Sequence, residues 1–379
     1  MKGTLHSCRL LLTAWLATAS QAAAELPRYS VTPLEEWGGE VDPGGVGIYG
    51  VALNTQNELL ANDFRFGNYG AGLQMWLQGT RTDPGPPAYP PGYEYSVGHL
   101  RAFTDAGTWA VDAYSSSLDR HRLVALDLRT ATSAILPDIP GAVMDGSAPA
   151  LSSGGNFLVA RSDDFTRGWR LALGSNTWGE LLGPGSYVQP DAVNNLGMAA
   201  GRMGGAGGGT VPFYSTAAGE VHAITAGGTA LFGEATAINN AGLVTGTGNG
   251  RAFLFDSNTM ELRYLSETVI GVRPVDINEA GAILGISGSG AISFVTLYGE
   301  DFGLVSLSSL LEGNEDPFHP AWLMKDAVDI NDAGWILGSA QRVSDNTFHQ
   351  VLLRPVPEPG VTGLSVLAVV LVLRRRTGR

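Results

Sequence analysis

Apolar residues in this chain come in short bursts and never in long stripes: "AILGIS" from Ala282, "RAFLFD" from Arg251, "AISFVTLY" from Ala291 and "FHQVLL" from Phe348. Each burst is four to eight residues long and rich in β-branched or aromatic side chains, and the first three are bounded by Gly or Asp. That length and those boundaries predict strands and not helices. Several bursts are apolar at consecutive positions instead of alternating, as expected for strands covered on both faces.

The polar punctuation between bursts repeats. "AVNNLGMAAG" from Ala192, "AINNAGLVTG" from Ala237, "DINEAGAILG" from Asp276 and "DINDAGWILG" from Asp329 share one frame. An asparagine (Asn194, Asn239, Asn278, Asn331) is followed three residues on by a glycine (Gly197, Gly242, Gly281, Gly334). A second glycine follows seven residues after the asparagine, at Gly201, Gly246, Gly285 and Gly338. Looser copies precede them: "ALSSGGNFLV" from Ala150, "AFTDAGTWAV" from Ala102 and "ALNTQNELLA" from Ala52. The equivalent positions are 54, 104, 152, 194, 239, 278 and 331, a period of about 46. In each unit a strand enters the turn and a second leaves it. A variable loop, a third strand and, after another turn, a fourth such as "MELRYL" from Met260 follow. Four brief strands in 40 to 50 residues predict a β-propeller blade. The expectation is an all-β fold of seven four-stranded blades.

An asparagine that opens a turn can hydrogen-bond backbone two residues on, and a glycine closing it takes positive φ without a steric penalty. A type I turn ending in a left-handed glycine joins antiparallel strands through a bulge. The second glycine predicts a close backbone approach. The last unit lacks a fourth strand before the tail begins, while "RYSVTPLEEW" (28–37) is strand-like and precedes the first turn. That N-terminal segment is predicted to complete the last blade and close the ring, since an unpaired edge would be exposed otherwise.

Both ends of the chain carry signals of export. Residues 1–24 combine Lys2 and Arg9, the apolar "LLLTAWLATA" and the small residues Ala22–Ala24, the order of a secretory leader. The single cysteine, Cys8, lies in that leader, so a processed chain has no thiol for disulfides, zinc–thiolate ligation or nucleophilic catalysis. Residues 356–379 carry Pro357-Glu358-Pro359, an apolar run from Val361 to Leu373, and Arg374-Arg375-Arg376. The run is short for a lasting span of about 20 residues, so transient membrane insertion with the arginines held back fits it. This tail resembles the PEP-CTERM sorting signal, which implies processing by an exosortase-like membrane enzyme and delivery to the cell surface or extracellular matrix. Residues 25–355 form the repeat domain. The turn units resemble the HAF extracellular repeat family, most closely over "AINNAGLVTG" with "RAFLFD" and "DINDAGWILG" with "VLL".

Of 379 residues, 52 are glycine, 44% are hydrophobic and 16% charged, which suits many short strands joined by tight turns. The net charge is −13, and loss of leader and tail makes it more negative, which disfavours nucleic acid as a partner. No spacing predicts a catalytic or metal centre. In "DINEAG" and "DINDAG" the fifth calcium-loop position is Ala280 or Ala333 and the twelfth is Ser287 or Ala340, so two oxygen ligands are missing. "GRMGGAGGGTVPFY" from Gly201 lacks the Gly-Lys-Ser/Thr of a phosphate loop and is predicted to be a flexible connection between second and third strands. No cofactor is implied.

Propeller geometry places the loops joining second and third strands on one face, where "NDFRFGNYG" and "RSDDFTRGW" mix aromatic and charged residues. Phe64, Tyr69, Asp163, Asp164, Arg167 and Trp169 are the candidate ligand contacts, with rings to stack on sugar faces and charged groups for hydroxyls. The favoured reading is a non-enzymatic binding or structural propeller near exopolysaccharide. The alternative is a secreted propeller enzyme, a lyase or hydrolase, acting on glycans.

Overall fold

The computed structural model describes residues 26–34, 48–63, 73–77, 80–82, 90–92, 94–95, 103–115, 117–118, 120–140, 149–162, 164–205, 208–289 and 292–357. The leader and nearly all of the sorting tail lie outside them. Among the described residues the chain forms seven four-stranded antiparallel sheets and one small hairpin, Thr225–Ala226 with Thr229–Ala230.

The sheets are taken in chain order of their first strands: Ile48–Leu53, Glu94–Tyr95, Ala150–Leu151, Val188–Val193, Gly233–Ile238, Val272–Ile277 and Trp322–Ile330. In sheets one to six the four strands pair in simple succession along the chain. The seventh is different. Its strands are Trp322–Ile330, Ile336–Arg342, Thr347–Pro355 and then Tyr29–Pro33 from the N-terminus, paired from Tyr29 with Pro355 to Pro33 with Val351. The predicted complement of the last unit by the N-terminal segment is therefore present. It is held further by Glu312 N donating to Tyr29 O (2.8 Å) and by an Arg28–Glu315 ion pair (2.6 Å).

Apolar clusters lie between successive sheets. Leu158 and Leu171 of sheet three pack with Ala110 and Leu123 of sheet two. Phe213 of sheet four packs with Val159 of sheet three, and Phe253 and Phe255 of sheet five with Tyr214 of sheet four. Val272 and Tyr298 of sheet six pack with Leu254 of sheet five, and Leu284 and Val295 with Met324 and Val351 of sheet seven. Leu337 and Leu352 of sheet seven in turn pack with Leu53 and Leu59 of sheet one. The consecutive apolar positions of "AILG" follow from this: Ile283, Leu284 and Gly285 are all buried because both faces of the strand meet neighbours. Each such leucine or valine contributes about 1.5–3 kcal/mol by leaving water.

All seven predicted turns form. The residue three after each repeat position donates its N–H to that position's carbonyl, from Asn57 to Asn54 (3.2 Å) through Gly334 to Asn331 (2.9 Å). The closing glycines have φ between 71° and 81°, and in the first unit Asn57 takes the same left-handed conformation at 63°. A side chain at Gly201, Gly246 or Gly338 would run into the backbone of the adjacent first strand, where a β-bulge brings it close. The glycine-rich stretch from Gly201 differs from expectation: Gly201–Gly204 end a strand, Ala199–Gly204, and the next begins at Thr210, which shortens the connection. No helix of the described residues is long and apolar enough to cross a membrane.

Candidate functional site

The repeat asparagines do more than close their own turns. Asn194 Oδ1 accepts N–H from Leu196 and Met198 (3.0 and 2.9 Å), while its Nδ2 donates to the carbonyl of Asn239 in the next unit (2.9 Å). Asn239 does the same to Asn278 O (3.1 Å), Asn278 to Asn331 O (3.1 Å), Asn331 to Asn54 O (2.9 Å) and Asn54 to Thr104 O (3.3 Å). All five asparagines are buried. At Thr104 and Ser152 the hydroxyl accepts from its own turn, but it is too short to reach onward.

The next residue in four of the turns makes a second set of links. Thr55 N donates to Asp105 Oδ1 (2.9 Å), Asn195 N to Asn240 Oδ1 (2.7 Å), Asn240 N to Glu279 Oε1 (3.0 Å) and Glu279 N to Asp332 Oδ1 (3.0 Å). Gly154 N donates to Asn195 Oδ1 (2.7 Å). The polar letters that vary between repeats are thus the acceptors that tie one sheet to the next.

These turns and first strands surround a cavity of about 410 Å³, with lining residues from all seven units. Two carboxylates meet there. Asp329 Oδ2 accepts Leu53 N of sheet one (2.7 Å), and Asp276 Oδ2 accepts Ile330 N of sheet seven (3.1 Å). Asp276 Oδ1 accepts Ile277 N (2.8 Å), and the two carboxyl groups lie near enough to share a proton. Both are half-buried, and the surface they expose faces the cavity. Burial, reinforced by the negative charge of Asp276, holds Asp329 well above the ordinary carboxylate range, and burial raises Asp276 as well. The oxygens that a calcium loop would use in "DINEAG" are therefore occupied by backbone amides and by a partner acid. Among the described residues no group of three or more His, Asp or Glu side chains is gathered to hold a metal.

The loop-face candidates do not form one cluster. Phe64, Tyr69 and Asp163 lie outside the described residues. Asp164 is in the loop joining the second and third strands of sheet three, where Ser162 Oγ, Thr166 N and Thr166 Oγ1 pull its carboxyl down to about 2. Arg167 is exposed and loosely paired with Glu180 at 3.7 Å. Trp169 is a correction: it is 7% exposed and packs in the core with Leu171 and Trp178, so its ring is not offered to a surface ligand. It is the second residue of the strand Gly168–Ala172, and the pleat turns it inward.

No family model and no curated protein matches the chain. Solved structures do. The chain is similar to the structure of a streptogramin B lyase, with a TM-score of 0.51 at 12% identity over 87% of this chain and 98% of that one. It is also similar to an oligogalacturonate lyase in complex with manganese, with a TM-score of 0.50 at 13% identity over 87% and 97%. The WD40 repeats of RRP9 superimpose with a TM-score of 0.49 at 12% identity over 87% and 99%. At such identities the likeness is one of fold: an all-β protein of four-stranded antiparallel sheets with propeller-like neighbours.

Proposed function

We propose that the chain is an exported, surface-sorted β-propeller of seven blades, closed by its N-terminal strand, with a non-enzymatic binding or structural role in the exopolysaccharide matrix. The observation that carries this reading is the use of the axial polar groups. Five asparagines and the acids and amides beside them spend their hydrogen-bonding capacity on joining sheets, which is the work of a scaffold.

Two further features support it. The third strand of sheet seven ends at Pro355 beside Tyr29, and Val356 N donates to Arg28 O (2.8 Å). A leader ending before Arg28 and a tail beginning after Pro355 would enter the domain side by side, and removal of either would spare this pairing. That edge is opposite to the one bearing the loops between second and third strands. A chain held at the membrane by its tail would present those loops outward, Asp164 and Arg167 among them.

A glycan-directed enzyme remains the second reading, favoured by the two carboxylates that face one cavity. Carboxyls near enough to share a proton sit closer than the roughly 5–10 Å that glycosidases need between acid and nucleophile or base. Incubation with matrix polysaccharides separates the readings. Retention on the polysaccharide without new reducing ends, reduced in Arg167→Ala, is expected. Release of reducing or unsaturated ends with turnover would overturn the scaffold reading. Mass spectrometry of the surface-extracted protein tests the sorting route, with cleavage near Pro357-Glu358-Pro359 expected and an intact tail counting against it.

A further inference from the structure

The residue two before each repeat position is Ala52, Ala102, Ala150, Ala192 and Ala237 in the first five units, but Asp276 and Asp329 in the last two. The fold puts small, buried side chains at this place: Ala52, Ala150 and Ala237 are at most 7% exposed. In sheets one, four, five, six and seven it directly follows a β-bulge in the first strand, so the bulge re-aims it. Replacing one alanine by aspartate would bury an isolated charge. Replacing two in successive units brings the acids together, and a single proton can then serve both.

We propose that Asp276 and Asp329 form a proton-sharing clasp joining sheets six, seven and one, and that losing this proton loosens the junction between the end and the beginning of the domain. Asp276 grips sheet seven through Ile330 N, Asp329 grips sheet one through Leu53 N, and a proton shared between the neighbouring acids couples the two grips. Without the shared proton, two adjacent negative charges face each other at the cavity wall, and attraction becomes repulsion.

The surroundings give the second charge little relief. Asp191, Glu279 and Asp332 line the same cavity, and Arg273 is the one cation among its described lining residues. The lining parts of sheets one and five contribute no charged group, and Lys325 and Asp326 of the same strand as Asp329 are not part of the lining. The acid pair holds its proton to higher pH in the fold than in the unfolded chain. Its contribution to stability is therefore complete below the ordinary carboxylate pKa of 3.8 and is lost as pH rises through the elevated value. The domain is built to close most firmly in acid.

Asp329→Asn tests this, because the amide keeps an oxygen for Leu53 N and a permanent donor for Asp276. Asp276→Ala/Asp329→Ala, which restores the residue of the other five units, is the second variant. Thermal melts of the full chain would be compared between about pH 4.5 and about pH 9. D329N should match the wild type at the acid end and exceed its Tm by several degrees at the alkaline end, and the double alanine variant should lack the wild type's extra alkaline loss. Parallel pH curves for all three proteins overturn the proposal. So does a double alanine variant that cannot fold at any pH, since the pair would then be an obligatory bond and not a titrating one.

Discussion

A single asparagine side chain makes contacts in two sheets, and this double use explains why the residue recurs. In Asn278, Oδ1 accepts Ala282 N (2.9 Å) inside its turn and Nδ2 donates to Asn331 O (3.1 Å) in the next sheet. Asn278→Ala leaves Ala282 N without its acceptor and takes from Asn331 O one of its two donors, Gly334 N remaining, which should cost about 1–3 kcal/mol in a chemical denaturation experiment. Asn278→Asp should cost a similar amount at neutral pH, because it retains the acceptor and loses the donor. The second glycine acts sterically. A Cβ at Gly246 would press on Glu234 O and Ala235 Cα of the adjoining strand. Gly246→Ala should lower stability by about 1–3 kcal/mol, the usual cost of overpacking where backbone must move. The turn itself was legible in the sequence, because an asparagine, a left-handed glycine and flanking apolar runs have only one comfortable arrangement. Its outward link was not, because the acceptor lies 39 to 53 residues away between the last four units. Trp169 misled for a related reason: its charged neighbours suggested surface, whereas strand pleating decides which way a ring points.

At the level of elements, the degenerate early units keep their form by local substitution. Asn57 replaces the turn glycine with φ 63°, a conformation asparagine tolerates better than most residues. Asn57 Oδ1 also accepts from Asn331 Nδ2 (2.8 Å), so Asn57→Gly should be mildly destabilising, by about 0.5–1.5 kcal/mol, and a thermal melt would show it; Asn57→Val should be more so. Thr104 and Ser152 keep the turn but drop the outward bond, so the links are sparser around sheets two and three. The N-terminal strand that completes sheet seven was readable because the last unit came up one strand short and "RYSVTP" was left over. Its anchoring was not. Tyr29 is 4% exposed and packs with Leu310, Leu311 and Leu353, and burial pushes its phenol up to about 12. Tyr29→Ala should cost about 3–5 kcal/mol, as for other large aromatic truncations, and should detach the strand's N-terminal end.

Across the whole molecule, the fold turns a linear period into contacts between chain ends. The same hydrogen bond that links Asn278 to Asn331 links Asn331 to Asn54, 277 residues earlier. Apolar packing between sheets seven and one, the pairing of Tyr29–Pro33 with Val351–Pro355, and the grip of Asp329 on Leu53 converge on that junction. An excess of acid over basic residues, with net charge −13, works against compactness, so moderate salt should raise Tm by screening. Repeat arrays without end-to-end contact unfold piecewise, whereas a closed circle has no free end from which to fray. Deleting residues 28–37 and following thermal unfolding tests this most directly. Closure predicts loss of the cooperative transition, or one transition displaced to much lower temperature for every sheet at once; a deletion variant that melts as the full-length protein does would contradict it.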